Sequence, residues 1–239
     1  MPSGWEVSRS RASAAEHHGR PLPTGGGRQV WVHDVTRPAL VLGSTQAESV
    51  VDLGVARALG IEVVRRRSGG GAVLLIPGEV AWVDVIVPAG DPLWDDDVGR
   101  SFQWLGHVWQ RALVDVGIGG TRVHSGALEC VTLSDSGACA AAKGGRVGSG
   151  GGWGRLICFA AVGPGELTLG ERKVVGISQR RTRDAARFQC AVYRRWDPSL
   201  LAQLLRLDDD AAKALRGAAV GVGAHPNEIL EAFVAHLPA

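Results

Sequence analysis

Two stretches of this 239-residue chain combine residue types and spacing suited to chemistry on an anion. The first, Arg65-Arg66-Arg67-Ser68-Gly69-Gly70-Gly71-Ala72-Val73, sets three fixed cations beside three positions without side chains, just ahead of an apolar run. Consecutive glycines reach positive φ and let a ligand touch the main chain, so their N–H groups can converge on an anion while arginine adds charge and forked donors. Phosphate or carboxylate is the fitting guest. Taken alone, the same letters also describe a Gly-rich turn with a solvated basic flank. The second stretch, Gly170-Glu-Arg-Lys173-Val-Val-Gly176-Ile-Ser-Gln-Arg-Arg181, brings a lysine into a strand three residues before a glycine. Read singly, Lys173 is an exposed strand cation. Gly176 within a β-branched run marks close approach by a ligand or another backbone.

The elements that must position these residues follow from periodicity and turn signals. Residues 1–28, rich in Ser, Arg, Pro and Gly, read as an N-terminal arm or loop. Residues 39–42 read as a strand, 47–59 as a helix and 61–65 as a returning strand before the glycine turn. Strands at 72–76 and 80–87, split by Pro77-Gly78, read as a hairpin. Asp95-Asp96-Asp97 opens a helix over 98–116, whose aromatics are core packing rather than a stacking platform. Between Gly117 and Arg155 the pattern fails, and the Gly-rich run 144–154 reads equally as a lid over a ligand or as a surface insertion. Short strands are expected at 156–160, 166–169 and 173–179, and helices from Asp197 onward, the last near 227–236. This order predicts an α+β domain with a mainly antiparallel sheet flanked by helices: residues 29–205 as its main body and 206–239 as a short helical extension of it.

Composition narrows the partners. A net charge of +2 supplies no electrostatic case for nucleic acid or an anionic membrane. The basic residues are instead clustered, at 65–67 and again at Arg180, Arg181, Arg183 and Arg187. No apolar run reaches the roughly 20 residues that span a bilayer, and the first residues do not resemble a signal peptide, so a cytoplasmic location is expected. Cys130, Cys139, Cys158 and Cys190 form no C-x-x-C pair and are read mostly as reduced thiols, with Cys190 in the core. His17 and His18 lie in a polar stretch without a second ligand pair, so no protein-held metal is expected. Neither a full G-x-G-x-x-G nor G-x-x-x-x-G-K-[ST] occurs, so any nucleotide is held in another way.

Taken together, the two stretches resemble the lipoate–protein ligase A family, within the class II synthetase-like biotin and lipoate ligase catalytic domain. Arg65, Arg66, Ser68, Gly69, Gly70, Gly71, Ala72 and Val73 match the family's R-R-x-[ST]-G-G-G-A-V. Gly170, Lys173, Val174 and Gly176 match part of G-x-K-[IV]-x-G, and Leu42-Gly43-Ser44-Thr45-Gln46 is similar to its early strand-to-helix turn. The resemblance implies an enzyme that attaches a lipoyl or octanoyl group to a lysine of a lipoyl-domain carrier, such as the glycine cleavage H protein or a 2-oxoacid dehydrogenase E2. It implies an acyl-adenylate made from lipoate or octanoate and ATP with Mg²⁺. Lys173 would be the cation on the carboxylate and α-phosphate, Gly69–Gly71 would line the acyl-phosphate, and Arg66 would hold the turn or the anion. Biotin ligation is disfavoured, because the Gly-Arg-Gly-rich loop of that branch is missing.

Two departures qualify this. Leu74-Leu75-Ile76-Pro77-Gly78-Glu79 stands where the ligases carry a His-Asp pair and Gly-Asn, which bears on ATP and Mg²⁺ handling. Ile157-Cys158-Phe159-Ala160, ahead of Gly165-Glu166 and Lys173, is similar to the cysteine-dependent octanoyltransferases of the same fold. Cys158 is read first as a buried small hydrophobe, the usual state of a free cysteine. It is read alternatively as a nucleophile that takes an acyl group from acyl carrier protein as a thioester, or as a relic. The leading expectation is the ATP-dependent ligase. The alternatives are ATP-independent transfer through Cys158, and a non-catalytic acyl-binding protein.

Overall fold

A computed structural model describes residues 4–130 and 153–239. The Gly-rich run expected as a lid or insertion lies mostly outside them. The chain opens with β1 (Trp5–Ala12), α1 (Ala14–Gly19), β2 (Arg28–Val35) and β3 (Ala39–Leu42), then α2 (Leu53–Ala58), β4 (Glu62–Arg65) and β5 (Val73–Leu75). It continues through β6 (Val80–Pro88), α3 (Gln103–Asp115), β7 (Thr121–Val123), β8 (Glu129–Cys130), α4 (Trp153–Leu156), β9 (Ala161–Val162) and β10 (Leu167–Leu169). The long strands β11 (Arg172–Arg181) and β12 (Ala185–Tyr193) precede α5 (Ser199–Leu204), α6 (Asp209–Ala218) and α7 (Pro226–Ala235).

Seven strands form the main sheet in the order β1-β2-β6-β12-β11-β10-β7, antiparallel except where β1 runs parallel to β2. A second sheet, β4-β3-β5, lies against it. On β12 the side chains alternate, so Phe188, Cys190 and Val192 join the core under α3 and α7, where Trp109 stacks on Phe233 at 4.2 Å. From the opposite face of the main sheet, Trp82 and Tyr193 pack with Val41 and Leu75 of the small sheet. The outer face of the small sheet, through Leu40, Leu42 and Leu74, is covered by α2, α5 and α6. This α+β architecture, a mainly antiparallel sheet flanked by helices, is the one expected.

Several expectations are corrected. Residues 5–12 do not form an arm: they are an edge strand, and α1 carries His17 and His18 into the interior. The Ser13–Glu16 capping box fixes the start of α1. The strands either side of Pro77-Gly78 do not pair. β6 is buried along nearly its whole length and takes the sheet centre between β2 and β12, as a strand apolar on both faces must, while β5 pairs with β3. The helix expected over 47–59 breaks because the Asp52 carboxylate caps Val55 N–H at 3.0 Å, leaving a 3₁₀ turn at 48–50 before α2. Residues 156–160 are not a strand; a helical turn ends at Leu156 and a 3₁₀ turn spans Cys158–Ala160. No helix among the described residues is long and apolar enough to cross a membrane.

Candidate active site

The glycine turn joins β4 to β5 and is shaped from beneath by Arg66, which is 4% exposed. Its guanidinium donates to the carbonyls of Gly69 and Gly71, both at 2.8 Å, and to that of Val41 at 3.4 Å. Arg66 therefore holds the turn, its donors engaged by main chain as the planar fork favours. Arg65 ties the turn to the early loop by donating to the carbonyls of Gly43, at 3.2 Å, and Gln46. Gly70 sits at φ +94°, a conformation that L side chains rarely adopt. Gly71 answers to a different need: a Cβ there would lie 2.6 Å from the Ile157 carbonyl carbon and the Cys158 nitrogen. Without it, Ala72 N–H reaches Leu156 O at 2.7 Å and Cys158 N–H reaches Ala72 O at 3.0 Å. The triple glycine thus docks the Cys158 segment.

Lys173 is 1% exposed, against the reading of an exposed strand cation. Its ammonium lies 2.6 Å from Glu166 Oε2 and donates to the carbonyls of Cys158 and Ala161, each at 2.8 Å. Those three acceptors use all three of its donors. Nζ stands 3.9 Å from Cys158 Sγ, so a fixed positive charge faces the sulfur. Glu166 is held in turn by Gly163 N–H on Oε2 and Ile177 N–H on Oε1, both at 2.7 Å. Glu166 does not stand out in the sequence as a site residue; its signal is the Gly163-Pro164-Gly165 turn, with Gly165 at φ +75°, which swings it toward Lys173. Cys158 is half-buried, whereas full burial pushes the Cys190 thiol up and leaves it inert.

Two adjoining hollows meet at Cys158 and Ser178. The outer one is an open cleft of about 430 Å³ that brings together Gly69–Gly71, Cys158, Glu166 and Lys173, residues separated by about a hundred positions in the chain. The inner one is much smaller, about 40 Å³ between the two sheets, and is mainly apolar, lined by Val41, Val73, Leu75, Trp82 and Phe159, with Gly176 on its wall. Gly176 earns its place by contact: a Cβ would lie 3.0 Å from the Phe159 ring. Ser68 faces inward, 2.7 Å from Gln189 Oε1 and 3.0 Å from Ser178 Oγ. Arg65 and Ala72 line neither hollow and act through the backbone around it.

The departure at Leu74–Glu79 has a structural counterpart. Leu74 and Leu75 are buried, and Glu79 turns outward to pair with Arg195 at 2.7 Å. Glu166 is the one carboxylate among the described residues lining the cleft, and both its oxygens are engaged. Mg²⁺ is held through one or two carboxylates beside substrate phosphates, so the described residues of the cleft do not fit that ion. Among the described residues no group of three or more His, Cys, Asp or Glu is placed to hold a metal.

His17 and His18, read from sequence as part of a polar tail, lie beneath the inner hollow. His33 Nε2 donates to Asp84 Oδ2 at 2.7 Å, and Arg187 donates to the same carboxylate. Burial alone would raise the Asp84 carboxyl, but His33 and Arg187 outweigh it and hold it well below the usual range. Burial pushes His18 down to about 3, so its imidazole is neutral.

The fold has counterparts among known proteins. The chain superposes on a putative lipoate protein ligase from Thermoplasma acidophilum with bound lipoic acid at 17% identity and a TM-score of 0.64, covering 99% of this chain and 84% of that one. A lipoate-protein ligase A bound with ATP matches at 16% identity and TM-score 0.65, with the same coverage. A bipartite lipoate protein ligase from Thermoplasma acidophilum, studied with its E2 lipoyl domain, matches at 16% and 0.66, covering 99% of this chain and 82% of that one. No curated protein matches in sequence. The model of the lipoyl protein ligase A/B catalytic domain matches residues 26–224, and on that match the chain belongs to the lipoyl protein ligase A/B catalytic domain family.

Proposed function

We propose that this protein carries a lipoyl or octanoyl group as a thioester on Cys158 and transfers it to a lysine of a lipoyl-domain protein. The observation that carries this reading is the Cys158 sulfur, 3.9 Å from the buried Lys173 ammonium, at the junction of an open cleft and a mainly apolar hollow. The Lys173 ammonium stands close enough to meet charge at the reacting sulfur, and the hollow accepts the acyl chain. In the first step the thiolate attacks the carbonyl carbon of an activated acyl donor, such as an acyl carrier protein thioester. A C–S bond forms, and the donor sulfur leaves with the bonding pair and takes up a proton. In the second step the neutral ε-amine of the acceptor lysine attacks the thioester. The amide forms, Cys158 leaves as thiolate, and the amine proton passes to solvent. Both steps place negative charge on the carbonyl oxygen, which preorganised donors and a fixed charge stabilise in a water-poor site.

Acyl-adenylate formation from ATP is the second reading. It is favoured by the cleft that joins the glycine turn to Lys173, and by the ATP-bound relative. Weighing against it, Glu166 is the one carboxylate among the described residues of the cleft, and both its oxygens are engaged.

Intact-mass analysis separates the two. With an octanoyl thioester donor and no ATP, the wild-type chain should gain one octanoyl mass that an apo lipoyl domain then removes, and Cys158→Ala should gain none. Undiminished transfer by Cys158→Ala, with AMP released from ATP, overturns the thioester reading in favour of the ligase.

A further inference from the structure

The inner hollow is not apolar throughout. From Ser178 at the cleft, a hydrogen-bonded line passes behind its wall through Ser68 and returns to it at Gln189 and His18: Ser178 Oγ to Ser68 Oγ at 3.0 Å, Ser68 Oγ to Gln189 Oε1 at 2.7 Å, and Gln189 Nε2 to His18 Nδ1 at 3.1 Å. The last link sets a tautomer. An amide nitrogen only donates, so His18 Nδ1 accepts and the ring proton sits on Nε2. That N–H has no protein acceptor within hydrogen-bond distance among the described residues, yet His18 lines the hollow and is absent from the lining of the cleft. Its ring rests on Trp82, centroids 4.7 Å apart, which fixes its plane. Being buried and neutral, it is a donor without a net charge.

We propose that His18 is a specificity-determining residue whose Nε2–H pairs with an oxygen or sulfur atom toward the far end of the acyl chain. The hollow then selects a medium-length acyl group bearing such an atom over the unsubstituted saturated chain. This rests on the proposed function only in needing the acyl chain to enter the inner hollow, and it holds whether Cys158 or an adenylate carries the carbonyl. A saturated chain displaces water from the N–H and returns nothing, leaving one buried donor unpaired. A site built to hydrogen-bond its ligand rejects the analogue that lacks the partner.

The test is calorimetry on full-length Cys158→Ala protein, which cannot form an acyl-enzyme. The ligands are N-acetylcysteamine thioesters of octanoate, of lipoate, and of octanoates hydroxylated at C6, C7 and C8. Lipoate or at least one hydroxyoctanoate should bind about tenfold or more tightly than octanoate, the scale for one unpaired buried donor. Adding His18→Leu should erase that preference while octanoate still binds, and His18→Gln, which keeps an N–H donor, should restore it in part. Should His18→Leu fail to fold, by its melting curve, the ligand series on the parent and the Gln variant decide. Equal binding of every chain, or a preference that survives His18→Leu, overturns the proposal. No binding of any chain overturns the acyl-site assignment, and this proposal with it. Selective binding combined with failure of the wild type to acylate removes only the thioester step.

Discussion

Replacing Lys173 by methionine separates what this residue does for the fold from what it does for the chemistry. The side chain keeps its approximate length and loses its charge, so Glu166 remains within a buried pocket, 4% exposed, with no cation on Oε2. Removing one partner of a buried ion pair costs roughly 3–5 kcal/mol, because the other charge is left uncompensated. For a chain of this size each kcal/mol lowers the melting temperature by about 2–4 °C, so Lys173→Met should melt roughly 6–20 °C below wild type. This differs from the sequence-based picture, in which a lysine on a strand surface is removed without harm. The double variant Lys173→Met/Glu166→Gln removes the orphan charge. One amide face then meets a backbone N–H of Gly163 or Ile177, so about 1–3 kcal/mol of the loss should return rather than all of it. Urea titration of wild type, both singles and the double measures the cycle, and single-turnover acyl transfer is read on the same samples. Transfer should fall by about 10²–10³, the scale for losing one electrostatic stabiliser, in the single and the double alike. A Lys173→Met protein as stable as wild type, or a double no more stable than that single, refutes the buried-pair argument. A destabilised variant with full transfer per folded molecule makes Lys173 a structural residue only.

The triple glycine should not respond uniformly. Gly71→Ala drives a methyl onto Ile157 and Cys158 and should cost about 1–3 kcal/mol and slow acylation, whereas Gly69→Ala, with nothing within 4 Å, should be nearly neutral; equal effects in chemical denaturation would contradict the docking role. Acid should unfold the protein earlier than surface charge would suggest. His18 titrates near 3 in the folded chain against 6.5 ordinarily, so the unfolded state takes up the proton first, and stability is full above about pH 6.5 and declines as pH falls toward 3. At pH 5 this one group removes about 2 kcal/mol. Asp84, held below its usual range, adds a further loss below about pH 4. A urea midpoint that does not move between pH 7 and pH 5 would count against the buried neutral imidazole.

Local pattern was informative where an element answers to its own residues. The strands at 39–42, 62–65 and 172–181, the amphipathic helix ending near 115 and the final helix all stand close to where periodicity put them. Pattern failed where a partner decides. Residues 5–12 alternate Ser and Arg and look like a solvated tail until β2 offers an edge to pair with. Residues 185–193 read as core around Cys190 but not as a central strand, because the pairing with β6 and β11 lies outside any local window. Local pattern puts Cys158 on a strand, whereas it lies in a turn beside the bridge from Ala72 to Ile157.

By itself the sequence determined the kinds of groups available: a side-chain-free turn next to arginines, a lysine ahead of a strand glycine, a cysteine in an apolar setting, and enough β-branched sequence for a sheet. Tertiary structure alone decided what those groups do to one another. Arg66 is engaged by the carbonyls of its own turn, Lys173 went into the interior because Glu166 met it there, and His18 came to the wall of a hollow through a glutamine 171 positions away. The reason is physical: local preference follows from a residue's own shape and hydropathy, whereas burial, charge compensation and donor direction exist only once distant segments are brought to within a few ångströms.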